Sequence, residues 1–168
     1  MPHPLVLQLR FTRSELLRAL KDVSAEEAVK HFEPMNCISW IVGHLANQEQ
    51  TYWLTRAQGI TPVPEVTAYG FGQPKSTPDL DEMWAAWHQV TDASNDFLDT
   101  LDNEQMTSNV FPKTNVTLRE SVGTSMYRVI YHYWFHLGES QAIRQLLGHT
   151  DLPSFVGNLG GEAPYTPE

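Results

Sequence analysis

Residues 76–101 read STPDLDEMWAAWHQVTDASNDFLDTL, and this stretch decides the fold class. Leu80, Trp84, Trp87, Thr91, Ser94, Leu98 and Leu101 recur by fours and threes. That spacing lays one stripe of a helix against its neighbours, as in a bundle seam. Ser76 and Thr77 are cap residues, and Pro78 stands at or near the first helical position. Asp79 and Asp81 place negative charge where the helix dipole is positive. Tryptophans on such a stripe read as core rather than as cofactor contacts.

Three further stretches carry the same period. In residues 5–20, Leu9, Leu16, Leu17 and Leu20 recur at helical spacing, with Phe11 and Thr12 between them. Ser24-Ala25-Glu26-Glu27 then begins a short turn that ends at Pro34. The second helix opens near Asn36 as N-cap and runs to Gln58, where Gly59 stops it. Ile41, Leu45, Tyr52 and Trp53 mark its buried side, and Trp40, His44, Asn47, Gln48 and Thr51 form an adjacent polar stripe. The last helix is expected to open with the capping box Thr117-Leu118-Arg119-Glu120 and to reach Leu147 before Gly148. At 1.5 Å per residue that is on the order of 45 Å.

Between the second and third helices, residues 59–78 are rich in Gly and Pro, with only Glu65 and Lys75 charged. Tyr69 and Phe71, alternating with Gly70 and Gly72, suggest a connector pinned onto the bundle by its aromatics. The tail from His149, with Pro153, Phe155 and Tyr165, reads as extended and packed back in the same way. No strand pattern competes. The expectation is an all-α four-helix bundle, residues 1–168 forming one domain with a long connector between helices two and three.

Composition narrows the function classes. A chain of 168 residues can bury roughly 70% of its unfolded surface and needs no disulfide. Twenty acidic against 11 basic residues give a net charge of −9, with the basic residues scattered. Nucleic acid and anionic membrane are therefore poor partners. Cys37 is the only cysteine, so no internal disulfide can form. The first ten residues lack the basic start and apolar run of a signal peptide. No run approaches the roughly 20 apolar residues that span a bilayer. A cytoplasmic location is expected. Seven histidines against one cysteine is the proportion that stands out.

The sharpest local signal is His132-Tyr133-Trp134-Phe135-His136. Residues four apart share a helix face, about 6 Å along the axis, and two imidazoles so placed can chelate one transition metal. Tyr133 stands where the helical zinc proteases need Glu, which excludes that class. The best third ligand is His44, in the middle of the second helix. His3 is terminal, His31 sits in a turn, His88 is on an exposed side and His149 follows a helix stop. Two readings stay open on the residues alone: hydrogen-bonded core histidines, or ligands of one ion.

Glu139, on the face of His132 and His136, is either a hydrogen-bond acceptor for a ligand N–H, a general base, or an edge carboxylate capped by Arg144. Gln48, one turn after His44, could orient a ligand or a substrate. Cys37 lies too far along the axis to be a ligand and reads as a buried thiol. Asn115-Val116-Thr117 matches a glycosylation sequon but reads as a loop and helix cap.

Trp40-Ile41-Val42-Gly43-His44-Leu45-Ala46 resembles the first metal-ligand motif of the DinB/YfiT-like metalloenzyme family. His132-Tyr133-Trp134-Phe135-His136-Leu137-Gly138-Glu139 and the residues through Leu146 resemble that family's HxxxH-x-G-[EQ] helix. The likeness covers most of the chain, including the helix order and the long connector. It implies an up-down-down-up four-helix bundle, often a homodimer, with a three-histidine centre for nickel or zinc at His44, His132 and His136. It also implies a metal-dependent transferase using a low-molecular-weight thiol, or a hydrolase, acting on a small-molecule electrophile. The alternative is a non-catalytic, stress-linked bundle that binds a metal or a small ligand.

Overall fold

The computed structural model describes residues 2–154 and 156–166. Four long helices make the bundle: α1 Pro4–Leu20, α3 Ile38–Glu49, α4 Leu80–Leu98 and α6 Val122–Leu146. Short helices α2 Ala25–Ala28, α5 Asn103–Thr107 and α7 Leu159–Glu162 sit between and after them. α3 packs between α4 and α6, and α6 in turn packs on α1.

The seam of α4 is buried as its period predicts: Leu80, Trp87, Thr91, Ser94, Leu98 and Leu101 lie inside, with Trp84 half-buried. The helix starts later than expected. Asp79 is the N-cap, its carboxylate accepting the Glu82 N–H at 3.0 Å. Pro78 therefore lies before the cap rather than within the first turn. In α1, Leu9, Leu16 and Leu20 are buried with Phe11 and Thr12, but Leu17 faces solvent.

α3 begins after Cys37 rather than at an Asn36 cap, and Cys37 supplies no side-chain cap bond. Its continuation, Gln50–Arg56, is a π-helical segment. The looser turn changes the angular phase of the helix, and Gln50, Trp53, Leu54 and Ala57 all end inside. Gln50 then clamps the connector, donating to the Val63 carbonyl and accepting from the Val63 N–H, both at 2.8 Å. A 3₁₀ turn, Pro64–Tyr69, follows and packs on α3. Tyr69 is packed against the core while Phe71 is fully exposed, so only one of the two aromatics pins the connector.

The expected cap of the last helix is wrong by four residues. β1 Val110–Phe111 and β2 Val116–Thr117 form a two-stranded antiparallel hairpin with Val110 opposite Thr117. Thr117 is thus a strand residue, and Leu118 is held by the Asn109 carbonyl at 2.7 Å. Ser121 is the actual cap, accepting from the Thr124 N–H. The Glu120 carboxylate pairs with Arg128 instead of reaching back to Thr117. Cross-strand pairing and burial of Leu118 outweighed a local capping pattern. α6 is accordingly 25 residues, about 37 Å. Asn115 turns the hairpin at φ 56 while Val116 and Thr117 form β2, so the sequon is a turn residue followed by a strand rather than the expected loop and helix cap.

The tail contacts α1 through polar groups: Gln8 donates to the Ala163 carbonyl, and the Gly157 N–H donates to Glu15. Tyr165 is exposed, contrary to the expected aromatic anchor, and Phe155 lies outside the described residues.

A buried polar network crosses the bundle. Arg13 on α1 makes a two-pronged bond to Glu49 on α3, at 2.8 and 2.6 Å, and also donates to Ser94 and Asn95 on α4. Tyr133 on α6 donates to Glu49 at 2.8 Å and accepts from the Trp87 indole at 2.7 Å. Burial pulls the Arg13 pKa down, but the charge and hydrogen bonds of Glu49 outweigh it and the guanidinium stays protonated. Burial, with the Glu49 charge, pushes Tyr133 well above the ordinary phenol range, so its hydroxyl remains a donor. One ion pair therefore ties all four long helices together.

Candidate metal centre

His44 comes from the middle of α3, and His132 and His136 from successive turns of α6. α3 and α6 are packing neighbours, which brings the three rings together. The ring centroids of His132 lie 4.5 Å from His136 and 4.8 Å from His44, and those of His44 and His136 are 5.0 Å apart. Nε2 of His132 is 3.1 Å from Nε2 of His44 and 3.0 Å from Nε2 of His136. His44 and His136 are buried and His132 is half-buried.

Each ring is oriented from behind through its other nitrogen. His44 Nδ1 is 2.5 Å from the Tyr69 carbonyl, His132 Nδ1 is 2.6 Å from Gln48 Oε1, and His136 Nδ1 is 2.7 Å from Glu139 Oε2. All three partners are oxygen acceptors, so all three protons reside on Nδ1. The three Nε2 lone pairs are thereby turned on one another. That arrangement is repulsive unless a cation sits among them, and it is the pattern of metal-bound histidines with outer hydrogen-bond partners.

The spacing fits the same conclusion. Two nitrogens about 2.1 Å from one ion are about 3.0 Å apart at a right angle and about 3.4 Å apart at the tetrahedral angle. Two of the rings, His132 and His44, are also pushed toward the neutral form. Burial, followed by the nearby His136 and His44, pushes His132 down to about 3. Burial also lowers His44, and the Tyr69 carbonyl only partly offsets this. Among the described residues, these three histidines form a group that can hold a metal ion.

Local sequence explains two of these placements. Trp40, one turn before His44, stacks on its ring at 4.8 Å and 17°. Gly43 leaves room for the connector: a Cβ there would lie 2.6 Å from Met83 Sδ and 2.7 Å from a Tyr69 ring carbon. Only with that space can Tyr69 lie against α3 and aim its carbonyl at His44.

Glu139 and Gln48 both stand behind ligands as acceptors. Arg144 does not cap Glu139; it turns to the Ala19 carbonyl and to His149. Cys37 is buried, with its thiol against Ser39 and the Ser76 carbonyl, away from the centre. The other histidines serve elsewhere: His3 caps α1, His31 meets the Met35 carbonyl, His88 lies exposed beside Trp87, and His149 pairs with Glu27. Two features escaped the sequence reading. The Tyr69 carbonyl is a backbone group, for which Gly43 beside His44 was the available signal. The Arg13–Glu49–Tyr133 network left no local signal, because Arg13 stands between Thr12 and Ser14 and Glu49 between Gln48 and Gln50, polar neighbours that give no sign of burial.

No helix among the described residues is long and apolar enough to cross a membrane. No match to a curated protein was found. The family model of the DinB superfamily matches residues 8–140, a span that includes all three histidines, Gln48 and Glu139. The matched span, the helical bundle and the converged histidines agree, and the chain belongs to the DinB superfamily.

Proposed function

We propose that the chain is a metal-dependent enzyme in which His44, His132 and His136 bind one divalent ion, nickel or zinc, and that it acts on a small electrophile. The favoured reaction is transfer to a low-molecular-weight thiol, with hydrolysis as the variant in which water takes the thiol's place. The observation that carries this reading is the set of three Nε2 lone pairs facing one another, each fixed by an acceptor on Nδ1. A divalent ion held by three neutral imidazoles keeps its full charge and acidifies a bound thiol or water toward neutral pH.

The protein's own groups divide the remaining work. Tyr69, Gln48 and Glu139 hold the imidazoles in the ligating tautomer and orientation. Burial of His44 and His136 keeps bulk water from one side of the centre, while half-buried His132 faces a cavity of about 500 Å³ from which small molecules can approach.

Metal analysis of protein purified without a histidine tag tests the reading. One equivalent of nickel or zinc is expected, lost in His132→Ala. Absence of a stoichiometric ion, or full retention in that variant, would refute it. A panel of electrophiles offered with candidate thiols then separates transfer from hydrolysis.

A further inference from the structure

Thr124, Arg128, His132 and His136 follow one another at every fourth residue of α6, so a single stripe of the helix runs from a hydroxyl and a guanidinium to the two imidazoles. The cavity beside the centre opens over that stripe, lined by Gln48, Thr124, Tyr127, Arg128, Tyr131 and His132. His132 and Gln48 belong to the centre, so the cavity abuts it. Tyr127 and Tyr131 form an aromatic wall, their rings 5.8 Å apart and 23° from parallel. They are 45% and 64% exposed, which leaves a flat apolar face for a ligand.

Charge selects the ligand class. The lining has one cation, Arg128, and no carboxylate, in a chain whose net charge is −9. Glu120 bonds Nε and Nη2 of Arg128, both at 2.6 Å. Of five guanidinium N–H donors that engages two, and among the described residues the Nη1 edge has no protein acceptor. Glu120 thus braces the arginine while partly neutralising it.

We infer that this cavity is the substrate pocket of the centre and that Arg128 anchors a carboxylate or similar small anion of the substrate, one helical turn from His132. The inference rests on the metal reading above. It narrows the substrate class to a small molecule, thiol or electrophile, that carries an anionic group at one end.

The test uses the nickel-loaded protein and follows thiolate-to-nickel absorption during titration. The probes are 3-mercaptopropionate and 4-mercaptobutyrate, against uncharged 3-mercapto-1-propanol. The better acid is expected to bind about tenfold more tightly than the uncharged thiol, as a charge-assisted bond at a partly exposed site allows. Arg128→Gln should bring that ratio to about one. Glu120→Gln, which frees the guanidinium, should raise it. Equal affinity of both acids and the alcohol in the parent protein overturns the pocket assignment, as does an unchanged ratio in Arg128→Gln. Metal content is measured first on the same preparations. A protein that takes up no nickel overturns the centre and the pocket together, whereas a loaded protein that ignores the carboxylate overturns the pocket alone.

Discussion

Replacing Glu49 by Gln keeps the side chain's shape and removes its charge at the point where the four long helices meet. The carboxylate is fully buried and accepts three hydrogen bonds, two from Arg13 and one from Tyr133. After the change the Arg13 cation, itself buried, loses its counter-charge, and the new amide N–H₂ group must face a donor. Leaving one member of a buried ion pair uncompensated costs about 3–5 kcal/mol. For a chain of this size that corresponds to a drop of roughly 6–20 °C in Tm. Set against a typical stability of about 5–15 kcal/mol, the variant should still fold but with little margin. Urea unfolding followed by circular dichroism measures the loss. A paired variant, Arg13→Met with Glu49→Leu, should recover most of it, because the desolvation cost of both charges disappears together. A loss below about 1 kcal/mol, the size typical of surface pairs, would refute the reasoning. So would a paired variant less stable than Glu49→Gln alone.

Other outcomes follow from the same geometry. Gly43→Ala puts a methyl into Met83 and the Tyr69 ring; it should cost about 1–3 kcal/mol and weaken zinc binding measured by calorimetry, as the Tyr69 carbonyl leaves His44. Glu139→Ala removes the acceptor behind His136 and should lower zinc affinity about 10–100-fold with Tm of the metal-free protein nearly unchanged. The His149 hydrogen bond, with those of Ser24, holds Glu27 down to about 2 from an ordinary 4.5. Its contribution to stability is therefore complete above about pH 4.5 and is lost as pH falls toward 2, because the unfolded carboxylate takes up its proton first. Thermal melts of Glu27→Gln, which keeps the capping geometry, should fall less steeply across that window than those of the parent protein.

Much of the fold was legible because helical periodicity is a local property. The fours and threes of Leu80 through Leu101 need only a neighbour of any kind to bury them, and a bundle follows. His132 and His136 were legible as a pair for the same reason, since one helix alone sets their spacing. His44 required knowing that α3 packs on α6, and there the family likeness supplied what spacing could not. The start of α6 was misread because Thr117-Leu118-Arg119-Glu120 satisfies a local rule, while pairing of β2 with β1 and burial of Leu118 are settled by residues distant along the chain.

The sequence by itself determined the four long helices, the long connector, the apolar seams and which imidazoles share a face, all consequences of short-range chain geometry. Only the tertiary structure decided that Glu139 serves His136 rather than Arg144, that Gln48 serves His132, and that a backbone carbonyl of the connector serves His44. Those assignments depend on distances between groups on different elements, or on the direction a side chain takes once its competitors are engaged. Arg144 is drawn to the Ala19 carbonyl, which leaves Glu139 for the imidazole. Ligand tautomer, and with it the centre's capacity to hold a cation, is therefore a property of packing: a proton sits on Nδ1 because an acceptor from elsewhere in the chain is waiting there.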